Sequence, residues 1–183
     1  MMDEKETVQG LVFDLVKAFV FRPNEVKITN SVSPGPNGGI TILTLNVHPE
    51  DYGAVVGRNL RKIQALRIVT QLFGFHDRKE YRLLLPERER SRYIPAPYKP
   101  DPNWKPDTSM ALLKRVLDKI LRLPYGVMPI QTPEQTHFEI SPHDGEYDFM
   151  ERIAPQLHVI FHGIGKAQGH ELYITMAAPQ VRR

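Results

Sequence analysis

The 183-residue chain contains no cysteine, which excludes disulfides, thiol nucleophiles and cysteine-based zinc sites. A cysteine-free chain suits a reducing compartment, and a cytoplasmic location is expected. No apolar run approaches the roughly 20 residues that a membrane helix needs, so no membrane association is expected. The N-terminal stretch, with Asp3, Glu4 and Glu6, is acidic and lacks the basic-then-apolar order of a secretory leader. Charge of one sign is scarcely in excess, at a formal net +3, so the total says little about partners. Hydrophobic and charged contents of 41% and 25% are those of a globular protein, long enough for one ordinary domain or two small ones.

The distribution of charge says more than its sum. Between Gly53 and Arg92 there are ten basic residues against four acidic ones, a local excess of +6. From Ala96 onward, ten basic residues balance ten acidic ones. A polyanion-binding surface therefore belongs to the first half, unless the run is simply a solvated face.

Periodicity places the elements. Leu11, Val12, Leu15, Val16 and Phe19 form one apolar stripe, predicting a helix over about residues 4–21 that Pro23 stops. Residues 25–30 and 39–47 alternate with β-branched side chains and predict two strands, separated by a Pro/Gly-rich loop. Asp51 opens a short helix ending at Gly57, a longer helix is expected from Leu60 to about Phe73, and residues 80–85 read as a third strand. Residues 87–92 are a charge run. Five prolines between Pro95 and Pro106 then predict a stiff connector, pinned by Tyr98 and the lone tryptophan, Trp104.

Beyond the connector the sequence repeats itself. Leu11, Val12, Leu15, Val16, Phe19 and Val20 fall on Leu112, Leu113, Val116, Leu117, Ile120 and Leu121. Residues 47–51 match 140–144, residues 64–74 match 155–165, and residues 80–85 match 171–176. The expectation is one domain over residues 1–88, a connector over 89–106 and a degenerate copy of the first domain over 107–183. The fold class expected is α+β, with tandem α-β-β-α-α-β units, each a three-stranded sheet covered on one face by helices.

Between the matched blocks the copies differ. The first carries Gly53, Val56, Gly57, Arg58, Asn59, Leu60, Arg61, Lys62 and Ile63, and Arg67 follows. This stretch, a hydrophobe and a Gly-x-x-Gly-like turn between two helices after a strand pair, resembles the core of a type II KH domain. Asp51, Gly53, Val55, Val56 and Gly57, with Ala65, Leu66 and Arg67, are similar to the small bacterial RNA-binding proteins of the KhpA family. The resemblance spans about residues 4–86. It implies single-stranded RNA as partner and a post-transcriptional or ribosome-related role without a cofactor. It also implies a homodimer or a second RNA-binding protein as companion.

The chemistry of such a turn is general. Backbone N–H groups left free where the second helix starts attract phosphate, and glycine lets a backbone approach closely. KH domains clamp about four nucleotides this way. Arg58, Arg61 and Lys62 supply charge; Ile63 and Ala65 either face the bases or lie in the core. Leu60 stands where the motif has its second glycine. A leucine there disfavours positive φ and occupies space a sugar-phosphate uses, although the retained Gly53, Gly57 and basic cluster favour binding. The second copy has no glycine in this loop and carries Glu146, Asp148 and Glu151, which repel phosphate. The alternative reading is a pseudo-KH protein acting as an assembly module without RNA affinity.

Nothing in the sequence supports an enzyme. His158 and His162 stand four apart, but Val159 occupies the place of the metalloprotease glutamate. The glycines at 163, 165 and 169 lack the Lys-Ser/Thr ending of a phosphate loop.

Overall fold

A computed structural model of the chain describes residues 7–35, 39–76, 78–86 and 104–178. The charge run at 87–92, the prolines from 95 to 102 and Tyr98 lie outside the described residues. The described residues fall into two compact units, divided between residues 98 and 99. No helix among them is long and apolar enough to cross a membrane.

The first unit follows the expected order: α1 (Val8–Lys17), β1 (Lys27–Ser33), β2 (Ile40–Asn46), α2 (Tyr52–Val56), α3 (Arg61–Leu72) and β3 (Glu80–Leu84). Strand β2 is central, antiparallel to β1 and parallel to β3. Ile28, Leu43, Leu45 and Leu83 alternate onto one buried face, beneath the stripe Leu11, Val12, Leu15 and Val16 of α1 and Leu66 and Val69 of α3. Thr7 caps α1, its hydroxyl accepting from Gly10 N–H at 3.1 Å.

Helix α1 ends earlier than its apolar period suggests, for a tertiary reason. The N–H groups of Phe21 and Arg22 donate to the two carboxylate oxygens of Asp51, at 2.7 and 3.0 Å. Asp51 is fully buried. Continuing the helix would turn those donors away, and the clamp wins.

The second unit comprises α4 (Pro106–Ile120), β4 (Gly126–Gln131), β5 (Gln135–Ser141), α5 (Tyr147–Ala167) and β6 (Glu171–Met176). Its sheet repeats the first, with β5 central, antiparallel to β4 and parallel to β6. Pro106, assigned to the connector by sequence, is the first residue of α4, a position that suits proline. Trp104 packs its ring against His170, with centroids 5.6 Å apart.

Details of the two units match residue for residue. Glu146 accepts from Arg122 and Leu123 N–H at 2.8 and 3.2 Å, as Asp51 does in the first unit. His143 caps the turn before α5 through Nδ1 to Gly145 N–H, as His48 does for Glu50 N–H. Gly74 and Gly165 each accept from a residue five positions on, Lys79 and His170, at 3.0 Å. A Cβ at either glycine would collide with that residue's carbonyl oxygen.

These equivalences correct the sequence register. Asp51 corresponds to Glu146 and not to Asp144, because strand pairing rather than a shared Pro-x-Asp string sets the alignment. Tyr52 then falls on Tyr147 and Arg61 on Arg152. The second copy is four residues shorter here, and residues 57–60 have no counterpart. Without them the two middle helices fuse into the 21-residue α5, which carries Pro155 in its interior. The helix continues there despite the hydrogen bond that proline removes.

Candidate functional site

The four residues missing from the second unit form the unusual backbone of the first. Gly57 closes α2, donating its N–H to Gly53 O at 2.9 Å, with φ 70° and ψ 171°. Asn59 (φ 55°, ψ 35°) and Leu60 (φ 61°, ψ 9°) are left-handed. Three of four consecutive residues thus have positive φ. For leucine this costs about 1–2 kcal/mol. Strain of this kind persists where surrounding structure enforces it, and it clusters at sites of function.

Space as well as φ requires glycine at 57. A Cβ there would lie 2.7 Å from Lys62 Cβ and 3.2 Å from Lys62 N. The turn therefore lies flat against the start of α3. Leu60, the N-cap of α3, makes no side-chain cap hydrogen bond. Arg61 N–H donates to Arg58 O within the turn, and the turn sits at the positive end of the α3 dipole.

Around this junction Gly53, Arg58, Asn59, Leu60 and Arg61 are exposed, and Val56 and Gly57 are half-buried. Leu60 is 54% exposed, so its side chain points to solvent and does not seal the junction. Lys62 is half-buried and holds its ammonium 4.7 Å from the Phe19 ring centroid, a cation–π contact. Arg67, one turn beyond Ile63, is exposed and donates from Nε to Leu83 O at 3.2 Å, bridging α3 to the edge of β3. Ile63 and Ala65, at 3% and 0% exposure, belong to the core: they support α3 from beneath and present nothing outward. The exposed set is accordingly Gly53, Arg58, Asn59, Leu60, Arg61 and Arg67.

Sequence reasoning missed the part played by Asp51. It read as a helix opener, whereas its carboxylate ties the end of α1 to the start of α2 and so fixes the level at which the turn begins. An acidic residue following His-Pro was the only local signal.

The second unit offers no such junction, since α5 runs through it. Glu146 is engaged by backbone donors, while Asp148 and Glu151 are exposed near the start of the helix. The histidines serve separate tasks. His170 pairs with Thr136 Oγ1 at 2.9 Å, and His137 stacks on Tyr173 across the strands. His158 accepts at Nδ1 from Ile174 N–H at 3.3 Å and stacks on His162. Among the described residues, no three of His, Cys, Asp or Glu converge as metal ligands.

Burial, and then the His162 imidazole beside it, hold the His158 pKa below the ordinary histidine value. The unfolded chain takes up that proton near the usual value of about 6.5, and the folded unit only at lower pH. Between those values the unfolded state holds more protons, so stability falls as pH falls. Thermal melting of the chain at about pH 7.5 and about pH 5.5 should show a lower midpoint for the second unit in acid. His158→Gln should flatten that dependence, and an unchanged slope would remove His158 as its source.

No protein-family model matches the chain. Curated relatives do. RNA-binding protein KhpA of Treponema pallidum is 36% identical over 75 residues, which are 41% of this chain and 89% of that protein. RNA-binding protein KhpA of Streptomyces coelicolor is 38% identical over 61 residues, 33% of this chain and 71% of that protein. The same figures hold for the protein of that name from Streptomyces lividans. With nearly the whole of one such relative matched at this identity, and a KH-like topology in the structure, the chain belongs to the KhpA family.

Proposed function

We propose that the first unit binds single-stranded RNA, seating the sugar-phosphate chain on the turn at residues 57–60. One observation carries this: the run of positive φ at Gly57, Asn59 and Leu60 opens the start of α3 to solvent between exposed Arg58 and Arg61. The helix dipole and the guanidinium groups attract phosphate at one place. The names of the relatives support RNA as the polyanion. On this reading residues 1–88 are the RNA-binding domain, with Gly53, Arg58, Asn59, Leu60, Arg61 and Arg67 at the interface and Val56, Gly57, Lys62 and Ile63 shaping it. Residues 107–183 are a copy that has dispensed with the turn, and no cofactor takes part.

Titration of mixed-sequence single-stranded RNA against the wild type and Arg58→Asp/Asn59→Asp tests the proposal. Wild-type affinity should weaken with salt, with a log–log slope of about −0.7 for each phosphate contact. The double variant should bind at least about tenfold more weakly, with a shallower slope, since it loses a cation and gains two anions facing phosphate. Equal and negligible binding by both proteins would overturn the proposal and favour an assembly role for the fold.

A further inference from the structure

The far end of α3 carries a second feature that the turn does not use. Gln64, Ile68 and Gln71 follow one another at spacings of four and three along one face of α3, and Leu60 and Phe75 flank the helix at its two ends. Leu60, Ile68 and Phe75 are 54%, 37% and 65% exposed, and they are three of the five large exposed apolar side chains among the described residues of the first unit. The stripe leads from the turn to a cavity of about 630 Å³ at the mouth of the β2–β3 pair, lined among others by Gly39, Ile40, Gln71, Phe75, Arg78 and Lys79. That volume lies in the range of small-molecule pockets, roughly 300–1,000 Å³.

Three backbone hydrogen bonds border this cavity. Gly74 N–H bonds Gln71 O at 3.2 Å, Phe75 N–H bonds Leu72 O at 3.0 Å, and Lys79 N–H bonds Gly74 O at 3.0 Å. Gly74 admits no side chain, because a Cβ would meet Lys79 O. Phe75 is an exposed ring, met edge-on by His76 with centroids 5.6 Å apart, and it lines the cavity together with Arg78 and Lys79. Glu80, the cavity's acidic residue, is bonded to Arg82 at 2.7 Å, which offsets its charge.

We infer that Phe75 is a stacking platform for an unpaired nucleobase of the same RNA strand, with Arg78 and Lys79 holding the adjoining phosphates. This rests on the RNA reading of the turn and extends it to the opposite end of α3. From Arg61 to Leu72, the two ends of α3, is about 16 Å at the helical rise of 1.5 Å per residue, and Phe75 lies beyond the far end. Four stacked nucleotides, at about 3.4 Å each, span only about 10 Å between their ends. A tetranucleotide seated on the turn stops short of Phe75, and an octanucleotide reaches it.

Labelled tetra- and octaribonucleotides of mixed sequence, titrated by fluorescence anisotropy against the full chain, make the test. The wild type should bind the octamer more tightly. Phe75→Ala should weaken octamer binding about tenfold, a middle value for loss of one base–aromatic stack, and leave the tetramer unchanged. Phe75→Trp should keep octamer affinity within about twofold, and octamer but not tetramer should quench its added fluorescence. Octamer binding indifferent to Phe75→Ala, or tetramer and octamer weakened alike, overturns the platform while leaving the turn intact. Failure of the wild type to bind either oligonucleotide overturns the RNA reading and this inference together.

Discussion

Gly57→Ala should lower the melting temperature of the first unit by roughly 12–24 °C and cost at least about tenfold in RNA affinity. Two penalties combine. The conformation at φ 70° and ψ 171° lies in a region populated almost solely by glycine, so any side chain there carries about 1–3 kcal/mol of strain. The added Cβ also meets Lys62 Cβ at 2.7 Å, and the Lys62 ammonium is held over the Phe19 ring. Overpacking of this kind costs about 1–3 kcal/mol more. The sum, of order 3 kcal/mol, is large beside the 5–15 kcal/mol of a typical domain. Each kcal/mol corresponds to about 4–8 °C for a unit this size.

The turn can escape the clash only by moving away from α3, and that carries Arg58 away from the start of the helix where the proposed site lies. Affinity should therefore fall even at temperatures where the variant is folded. Gly53→Ala supplies the contrast: Gly53 is an exposed residue inside α2, outside the set of positive-φ glycines, and alanine there should stabilise by up to about 1 kcal/mol. Calorimetry with RNA titration checks both. Equal melting temperatures for the two variants would mean that the turn is not held in the geometry described.

The contrast between these glycines marks what the sequence revealed and what it hid. Both stood out as part of a motif, and the turn was legible because its residue types are rare between two helices. Their different roles depend on ψ at Gly57 and on a neighbour five residues away, neither of which a residue type discloses. Leu60 was read as an obstacle because leucine resists positive φ. The fold imposes that φ anyway, and the outcome for its side chain, outward rather than into the junction, follows from the turn's path. The strands of the first unit and the apolar face of α1 followed from periodicity, and that of α4 from the repeat. The fused α5 did not, because Pro155 reads as the start of a new helix until the four-residue deficit is measured against the strand register. Phe75 gave no sign at all: an aromatic beside a helix-closing glycine has the same local signature whether it is buried or not.

The Asp51 clamp was equally hidden, since its partners lie about 30 positions back in the chain, and it yields the other large effect. Asp51→Ala should destabilise the first unit by about 3 kcal/mol or more, against about 1 kcal/mol for Glu146→Ala in the second. The geometry is the same in both, two adjacent N–H groups donating to one carboxylate. Burial differs. Asp51 is fully buried, so removing it strands two part-buried donors, and hydrogen bonds to a charged acceptor contribute about 1.5–3 kcal/mol each. Glu146 is half-buried, and the bonds to Arg122 and Leu123 are exposed, so water replaces the lost acceptor. Asp51→Asn should recover only part of the loss, because the amide carries one acceptor oxygen and turns an NH₂ group toward the second donor. Urea melts of the three variants, read by a probe in each unit, separate the cases. If Asp51→Ala and Glu146→Ala cost the same, burial is not what gives the clamp its strength, and the early end of α1 needs another cause.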